Sequence, residues 1–70
     1  MMPFATWCLV GSEWRLMVGN KRKRCVATVW DNGTWSTWDR EGTGGENWKE
    51  DTVAKAKVEA AASAITQGFI

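Results

Sequence analysis

The dipeptide Asn32-Gly33 constrains the fold of this chain more than any other feature, because it joins two short runs rich in β-branched and aromatic residues. Asn-Gly is a strong signal for a tight hairpin, since both central positions of the favoured turn require positive φ. The flanking runs, 24–30 and 34–39, are therefore predicted to form adjacent antiparallel strands.

A second hairpin is predicted upstream. The apolar run 5–10 is followed by Gly11-Ser12, a dipeptide suited to a type II′ turn, and then by the run 13–18. Apolar and polar residues alternate in 13–18, which is the period-two pattern of a strand with one buried face. The apolar positions of this strand are Trp14, Leu16 and Val18.

The last third of the sequence predicts a loop and then a helix. Residues 40–47 contain three glycines, whereas residues 48–67 are rich in alanine, the residue with the highest helix propensity. Asn47 or Asp51 is suited to the N-cap, and Gly68 followed by an apolar residue fits a Schellman motif. A stripe at helical spacing is predicted to pack on the sheet: Ala54, Val58, Ala61 and Ile65.

These segments together predict an α+β fold, an antiparallel meander of three to four strands with one C-terminal helix packed on one face. Seventy residues make a single small domain, 1–70, whose core is thin. Six tryptophans are too bulky for that core to absorb entirely, so we expect some ring surface to lie near water.

Counting outward from a two-residue turn places Trp30 opposite Trp35 and Trp38 beside Ala27 and Val29. Threonines share the face of Trp30 and Trp35, and threonine is the better solvent-facing residue. We therefore expect Trp38 to lie in the core, and the pair Trp30 and Trp35 to lie on the open face, which is the face of the sheet away from the helix. One bulge would reverse this assignment, because a one-residue slip exchanges the two faces of a strand.

Charge and cysteine content narrow the function classes. Basic residues outnumber acidic ones by five to one in residues 1–30, whereas acidic residues outnumber basic ones by seven to four in 31–70. Such a polarised molecule can steer a partner or align copies of itself. Two cysteines and no histidine are too few for a typical zinc site and exclude catalysis with a histidine base. We therefore expect no metal, no cofactor and no enzymatic activity.

The candidate binding residues combine aromatic rings with positive charge. Rings stack on unpaired bases, and cations attract phosphates. The alternatives are that Trp30 and Trp35 only stabilise the hairpin tip, and that the charge run is a solvated loop. The candidates are Arg15, Lys21, Arg22, Lys23, Arg24, Trp30 and Trp35.

The segment "EWRLMVGNKRKRCVATVWDNGTWSTWD", followed by a glycine-rich loop and "DTVAKAKVEAAASAI", resembles small uncharacterised proteins encoded by bacteriophages and prophages. A weaker architectural likeness is to AP2-type domains and the arm-binding domains of phage integrases, in which three strands lie in a DNA groove. That likeness implies DNA contacts by Arg15, Trp30 and Trp35, but residues 34–39 lack the basic side chains those families carry there.

The resulting prediction is a non-enzymatic binding module of phage type. It binds nucleic acid through the open face of the sheet and through the basic loop that contains residues 21–24. The alternative is a protein interaction module, in which the same tryptophans contact a host protein, a phage protein or a second copy of the chain. No apolar run approaches the ~20 residues that span a bilayer. The N-terminus also lacks the basic segment of a signal peptide, so a cytoplasmic protein is expected.

Overall fold

The computed structural model describes residues 5–39 and 41–70, so residues 1–4 and Arg40 of the sequence-based expectations lie outside the described residues. The chain forms one antiparallel sheet whose strands follow chain order, with one helix on one face. The α+β class and the C-terminal helix are confirmed, but the meander has five strands in the described residues. The elements are β1 (Ala5–Val10), β2 (Glu13–Val18), β3 (Arg24–Trp30), β4 (Thr34–Trp38), β5 (Gly44–Lys49) and α1 (Val53–Thr66).

The β1–β2 hairpin forms as predicted. Val10 lies opposite Glu13, which leaves Gly11 and Ser12 as the two turn residues. Gly11 has a φ of 63° and no non-glycine residue described has positive φ, in agreement with the glycine that a type II′ turn requires at its first central position.

The β3–β4 hairpin has a different loop from the predicted one. Gly33 donates its N–H to the carbonyl of Trp30 at 3.0 Å and has a φ of 86°, so the loop has three residues and ends in a left-handed glycine. Val29, not Trp30, therefore lies opposite Trp35. The predicted register is wrong by one residue, and this slip moves Trp35 to the other face of the sheet.

The fifth strand was predicted as loop and helix start. Gly44–Lys49 has almost no strand-forming residues, so its composition gave no sign of a strand. Hydrogen bonds with neighbouring residues hold this strand in the sheet. The Asp39 side chain accepts the N–H groups of Glu41 and Thr43, which closes the preceding turn, and the buried Thr37 hydroxyl accepts the Glu46 N–H at 2.8 Å.

Helix α1 is shorter than predicted at its N-terminus. Thr52 is the N-cap, and its hydroxyl accepts the Lys55 N–H at 3.1 Å, so the predicted caps Asn47 and Asp51 are wrong. The C-terminal prediction is confirmed. Gly68 has a φ of 80°, and the N–H of Phe69 donates to the Ala64 carbonyl, five residues earlier, as in a Schellman motif. No helix described in residues 5–39 and 41–70 has both the length and the apolar character needed to cross a bilayer.

The helix presents a different face to the sheet from the one predicted. Ala56, Ala60 and Ala64 are fully buried, whereas Val58 and Ile65 of the predicted stripe are 66% and 59% exposed. Both stripes are apolar at helical spacing, so periodicity could not choose between them. The alanine stripe is the one that faces β3 and β4, and its small side chains let the helix backbone lie close to the sheet.

The core lies between α1 and the inner face of the sheet. A register shift between Leu16 and Met17 leaves an extra residue in β3, and as a result Val26, Ala27 and Val29 are all fully buried. The other buried apolar residues are Leu16, Val18, Trp35, Ala56, Ala60 and Ala64.

Candidate nucleic-acid interface

No helix or strand within the described residues packs over the second face of the sheet. Helix α1 packs on the opposite face, against β3 and β4. A depression of about 320 Å³ lies on this uncovered face, between strands β2, β3 and β4. We call this surface the open face, and its depression is lined by Glu13, Arg15, Cys25, Thr28, Trp30, Trp38 and Gly42.

Two half-buried tryptophans lie on either side of Thr28 in the open face. Trp38 donates its indole N–H to the Thr28 hydroxyl oxygen at 3.0 Å, which holds the ring in one orientation. Trp30 follows two residues after Thr28 on β3 and therefore shares its face. The Thr28 hydroxyl is 3.7 Å from the Cys25 thiol, and that thiol lies 3.2 Å from the Ala27 carbonyl oxygen.

Arg15 supplies the positive charge within the depression. Its Nε donates to Glu13 Oε1 at 2.8 Å, and Nη2 contacts the same oxygen. The Arg15 side chain remains 42% exposed, and its guanidinium has further N–H donors besides the two that Glu13 accepts. Arg15 is thus oriented by Glu13 and still able to contact an anion from solvent.

The basic loop between β2 and β3 is exposed at Lys21, Arg22 and Lys23. Arg24 does not belong with them. Its Nη2 donates to the Phe69 carbonyl oxygen at 2.5 Å, beyond the end of α1, so this side chain lies on the helix side of the sheet. The expectation that Arg24 contacts phosphate together with the loop is therefore wrong.

Trp35 is also absent from the open face. It is only 6% exposed and belongs to the core beneath the alanine stripe of α1. Its indole N–H lies 3.4 Å from Glu50 Oε2, just before the helix. Trp35 and Trp38 have thus exchanged their predicted positions, because the three-residue hairpin loop shifts the register of β4 by one residue.

The open face also contains residues that the sequence interpretation missed. Trp38 was assigned to the core, and Thr28 and Cys25 were not assigned to a site. A three-residue loop ending in glycine is the next most common hairpin connection after the two-residue one, and Trp30-Asp31-Asn32-Gly33 is compatible with both. The three-residue loop places Trp38 on the same face of the sheet as Trp30.

The remaining tryptophans lie elsewhere. Trp7 and Trp14 pack on the helix side, with the ammonium of Lys57 3.3 Å from the Trp14 ring centroid and 5.8 Å from that of Trp7. Lys57 of α1 thus contacts the rings on the β1 and β2 side of the inner face by a cation–π interaction. Trp48 on β5 is 68% exposed, opposite Trp35 in the ladder.

Comparison of the chain with protein-family models, curated proteins and solved structures gave no match. No group of three or more histidine, cysteine, aspartate or glutamate side chains is placed to hold a metal ion within the described ranges.

Proposed function

We propose that the protein binds single-stranded nucleic acid on its open face, with Trp30 and Trp38 stacking on bases and Arg15 contacting phosphate. The observation that carries this proposal is the placement of two tryptophans and one arginine around a single shallow depression. Base–aromatic stacking contributes roughly 1–3 kcal/mol per base and accepts any base, since each has a π-face.

Unpaired strands suit this surface better than a duplex. Stacking on a tryptophan requires a base whose face is free, as in loops, ends and single strands. A sheet that lies in a duplex groove needs cations on its strands to contact the two phosphate backbones, yet β4 has no charged residue. A single strand needs only one line of phosphate contacts.

The basic loop supplies positive charge beyond the depression, in which Arg15 is paired with Glu13. Lys21, Arg22 and Lys23 are exposed at the end of β2, and Trp38 lies toward that same end of the sheet. Asp39 and Glu41 lie in the neighbouring β4–β5 loop and lower the net charge there. We therefore expect moderate affinity and a log–log salt slope of roughly −2 to −3, as about four phosphate contacts on a single strand would give.

The proposal is tested by titrating a labelled oligothymidine into the protein and following fluorescence anisotropy. Replacing Trp30 by alanine removes one stacking platform, and we expect about a tenfold loss of affinity, the lower part of the range for one stacked base. The matched control is Trp48→Ala, which removes an equally large, exposed ring from β5, away from the depression. Equal losses for the two variants, or no binding by the wild type, would overturn the proposal.

Protein recognition is the second candidate, because tryptophan and arginine are the residues most enriched in the binding hot spots of protein interfaces. Trp30, Trp38 and Arg15 would then contact a host or phage protein. Salt separates the two candidates: nucleic-acid affinity falls steeply between about 50 and about 200 mM salt, whereas an aromatic protein interface changes little. The assignment to a non-enzymatic, cytoplasmic module of phage type remains part of this proposal.

A further inference from the structure

Lys49 adds a positive charge to the open face, on the edge strand β5. It lies opposite Thr34 in the β4–β5 ladder, and its neighbour Trp48 lies opposite the core residue Trp35. Because successive side chains of a strand point to opposite faces of the sheet, Trp48 is on the helix side and Lys49 is on the open face. Lys49 is exposed and forms no ion pair within the described residues, so its ammonium is accessible to an anion.

The carboxylate that follows Lys49 in the sequence is on the other side of the sheet. Glu50 Oε2 accepts the indole N–H of the core residue Trp35 at 3.4 Å, and its Oε1 lies 3.8 Å from the Lys55 ammonium on α1. The Glu50 side chain is only 14% exposed. Glu50 is therefore paired on the helix side and does not neutralise Lys49 on the open face.

Small polar side chains lie between the depression and Lys49. Thr28, which lines the depression, lies opposite Ser36 of β4, and Ser36 lies opposite Asn47 of β5. No bulky side chain interrupts this row, and hydroxyl and amide groups are among those that bond to phosphate and sugar oxygens. A bound strand thus has an unobstructed path from the depression to the edge of the sheet at Lys49.

The cations of the open face lie toward two opposite corners of the sheet. The basic loop connects β2 to β3 at the end of the sheet where Trp38 lies, and Lys49 is on β5 at the other end. Strand spacing and rise separate the two corners by about 12 Å across the strands and about 14 Å along them. Trp38 on β4 and Trp30 on β3 lie on either side of the line that joins these corners.

The acidic residues lie away from that line. Glu13 is at the start of β2, where it is paired with Arg15, and Asp39 and Glu41 are in the β4–β5 loop at the diagonally opposite corner. Asp31 is in the β3–β4 loop, past the ends of these strands. A polyanion that ran along the other diagonal would meet carboxylates at both ends, whereas the diagonal from the basic loop to Lys49 ends in cations.

We propose that Lys49 contacts a phosphate of the bound strand, and that this strand crosses the open face obliquely from the basic loop to Lys49. The inference rests on the proposed function, to which it adds a binding residue and the direction in which the nucleic acid crosses the sheet. Bases stack on Trp38 and Trp30 along the way, while the phosphates at the two ends are held by the basic loop and by Lys49.

Lys49→Gln tests this inference in the titration with labelled oligothymidine. Loss of one phosphate contact to a single strand should make the log–log salt slope less negative by about 0.7, which corresponds to about a fivefold loss of affinity at about 0.1 M salt. Lys49→Arg keeps the charge and should keep the affinity. Lys55→Gln is the matched control, because it removes the same charge from an exposed side chain on α1, and it should leave the salt slope unchanged.

Equal losses of affinity in Lys49→Gln and Lys55→Gln would overturn the inference, because they would show a dependence on net charge alone. An unchanged salt slope in Lys49→Gln would also overturn it. The proposed function fails separately, when the wild type does not bind or when Trp30→Ala and Trp48→Ala lose equally. Binding that depends on Trp30 but not on Lys49 would leave the stacking surface in place and exclude the crossing toward β5.

Discussion

Trp35 and Trp38 are three residues apart on one strand, yet they lie on opposite faces of the sheet in different environments. Trp35 is nearly inaccessible beneath the alanine stripe of α1. Trp38 is half-buried on the open face, where Thr28 fixes its orientation by a hydrogen bond. The comparison teaches that residue type alone does not separate a core ring from a surface ring in a small sheet. The position along the strand does separate them, because successive side chains point to opposite faces of the sheet. Here the length of the hairpin loop determines which side chains of β4 point toward the helix.

Replacing these tryptophans by alanine should have its largest effect on the free energy of unfolding. Trp35→Ala removes a buried ring from the core, and we expect the free energy of unfolding to fall by about 3–5 kcal/mol. Urea denaturation followed by circular dichroism measures this loss. Trp30→Ala, on the open face, should change the free energy of unfolding by less than about 1 kcal/mol. A larger loss for Trp30→Ala than for Trp35→Ala would show that the two faces have been assigned the wrong way round.

The hairpin loop gives the next largest effect. Gly33 has a φ of 86°, and a Cβ atom at this position would lie 2.3 Å from the Glu50 carbonyl oxygen. Gly33→Ala therefore combines backbone strain with a steric clash, and we expect it to cost about 1–3 kcal/mol more than an ordinary surface change. Gly42→Ala is the matched control, with a φ of 78° but no atom within 4 Å of the added carbon. Thermal unfolding that ranks both variants equally would contradict the close approach of the loop to Glu50.

These two predictions also show why the sequence predicted the elements better than their faces. Strands β1 to β4 and the C-terminal glycine cap have local signals in turn residues and alternation, and they form as expected. Which side chains of β4 face the helix depends on whether the loop before it has two or three residues. Gly33 is compatible with both loop lengths. The helix face was equally ambiguous, because two apolar stripes follow helical spacing and only the sheet distinguishes them.

Two other features depend on contacts between distant parts of the chain. β5 has few strand-forming residues, and its position is set partly by the close approach of α1's end: a Cβ at Gly45 would lie 2.5 Å from Gln67 Oε1. Arg24 belongs to the basic run in sequence, but its guanidinium donates to the Phe69 carbonyl, 45 residues away. Both contacts join residues that are far apart in the sequence, so neither can be predicted from a local sequence pattern.

The smallest predicted effect concerns the hydrogen bond within the open face. Thr28→Val preserves the shape of the side chain but removes the acceptor of the Trp38 indole N–H. We expect a loss of about 1 kcal/mol in the free energy of unfolding and faster solvent exchange of that indole proton. Thr34→Val, a change of the same kind on β4 with no described side-chain hydrogen bond to lose, should be close to neutral. An unchanged exchange rate in Thr28→Val would mean that Thr28 does not fix the ring.

The most direct test of the central claim is a nuclear magnetic resonance titration that follows the six tryptophan indole N–H signals while oligothymidine is added. We predict that the signals of Trp30 and Trp38 shift progressively and that those of Trp35 and Trp48 stay in place, because only the first two line the open face. Shifts at Trp48 or Trp35 with Trp30 and Trp38 unchanged would contradict the claim that the open face is the binding surface.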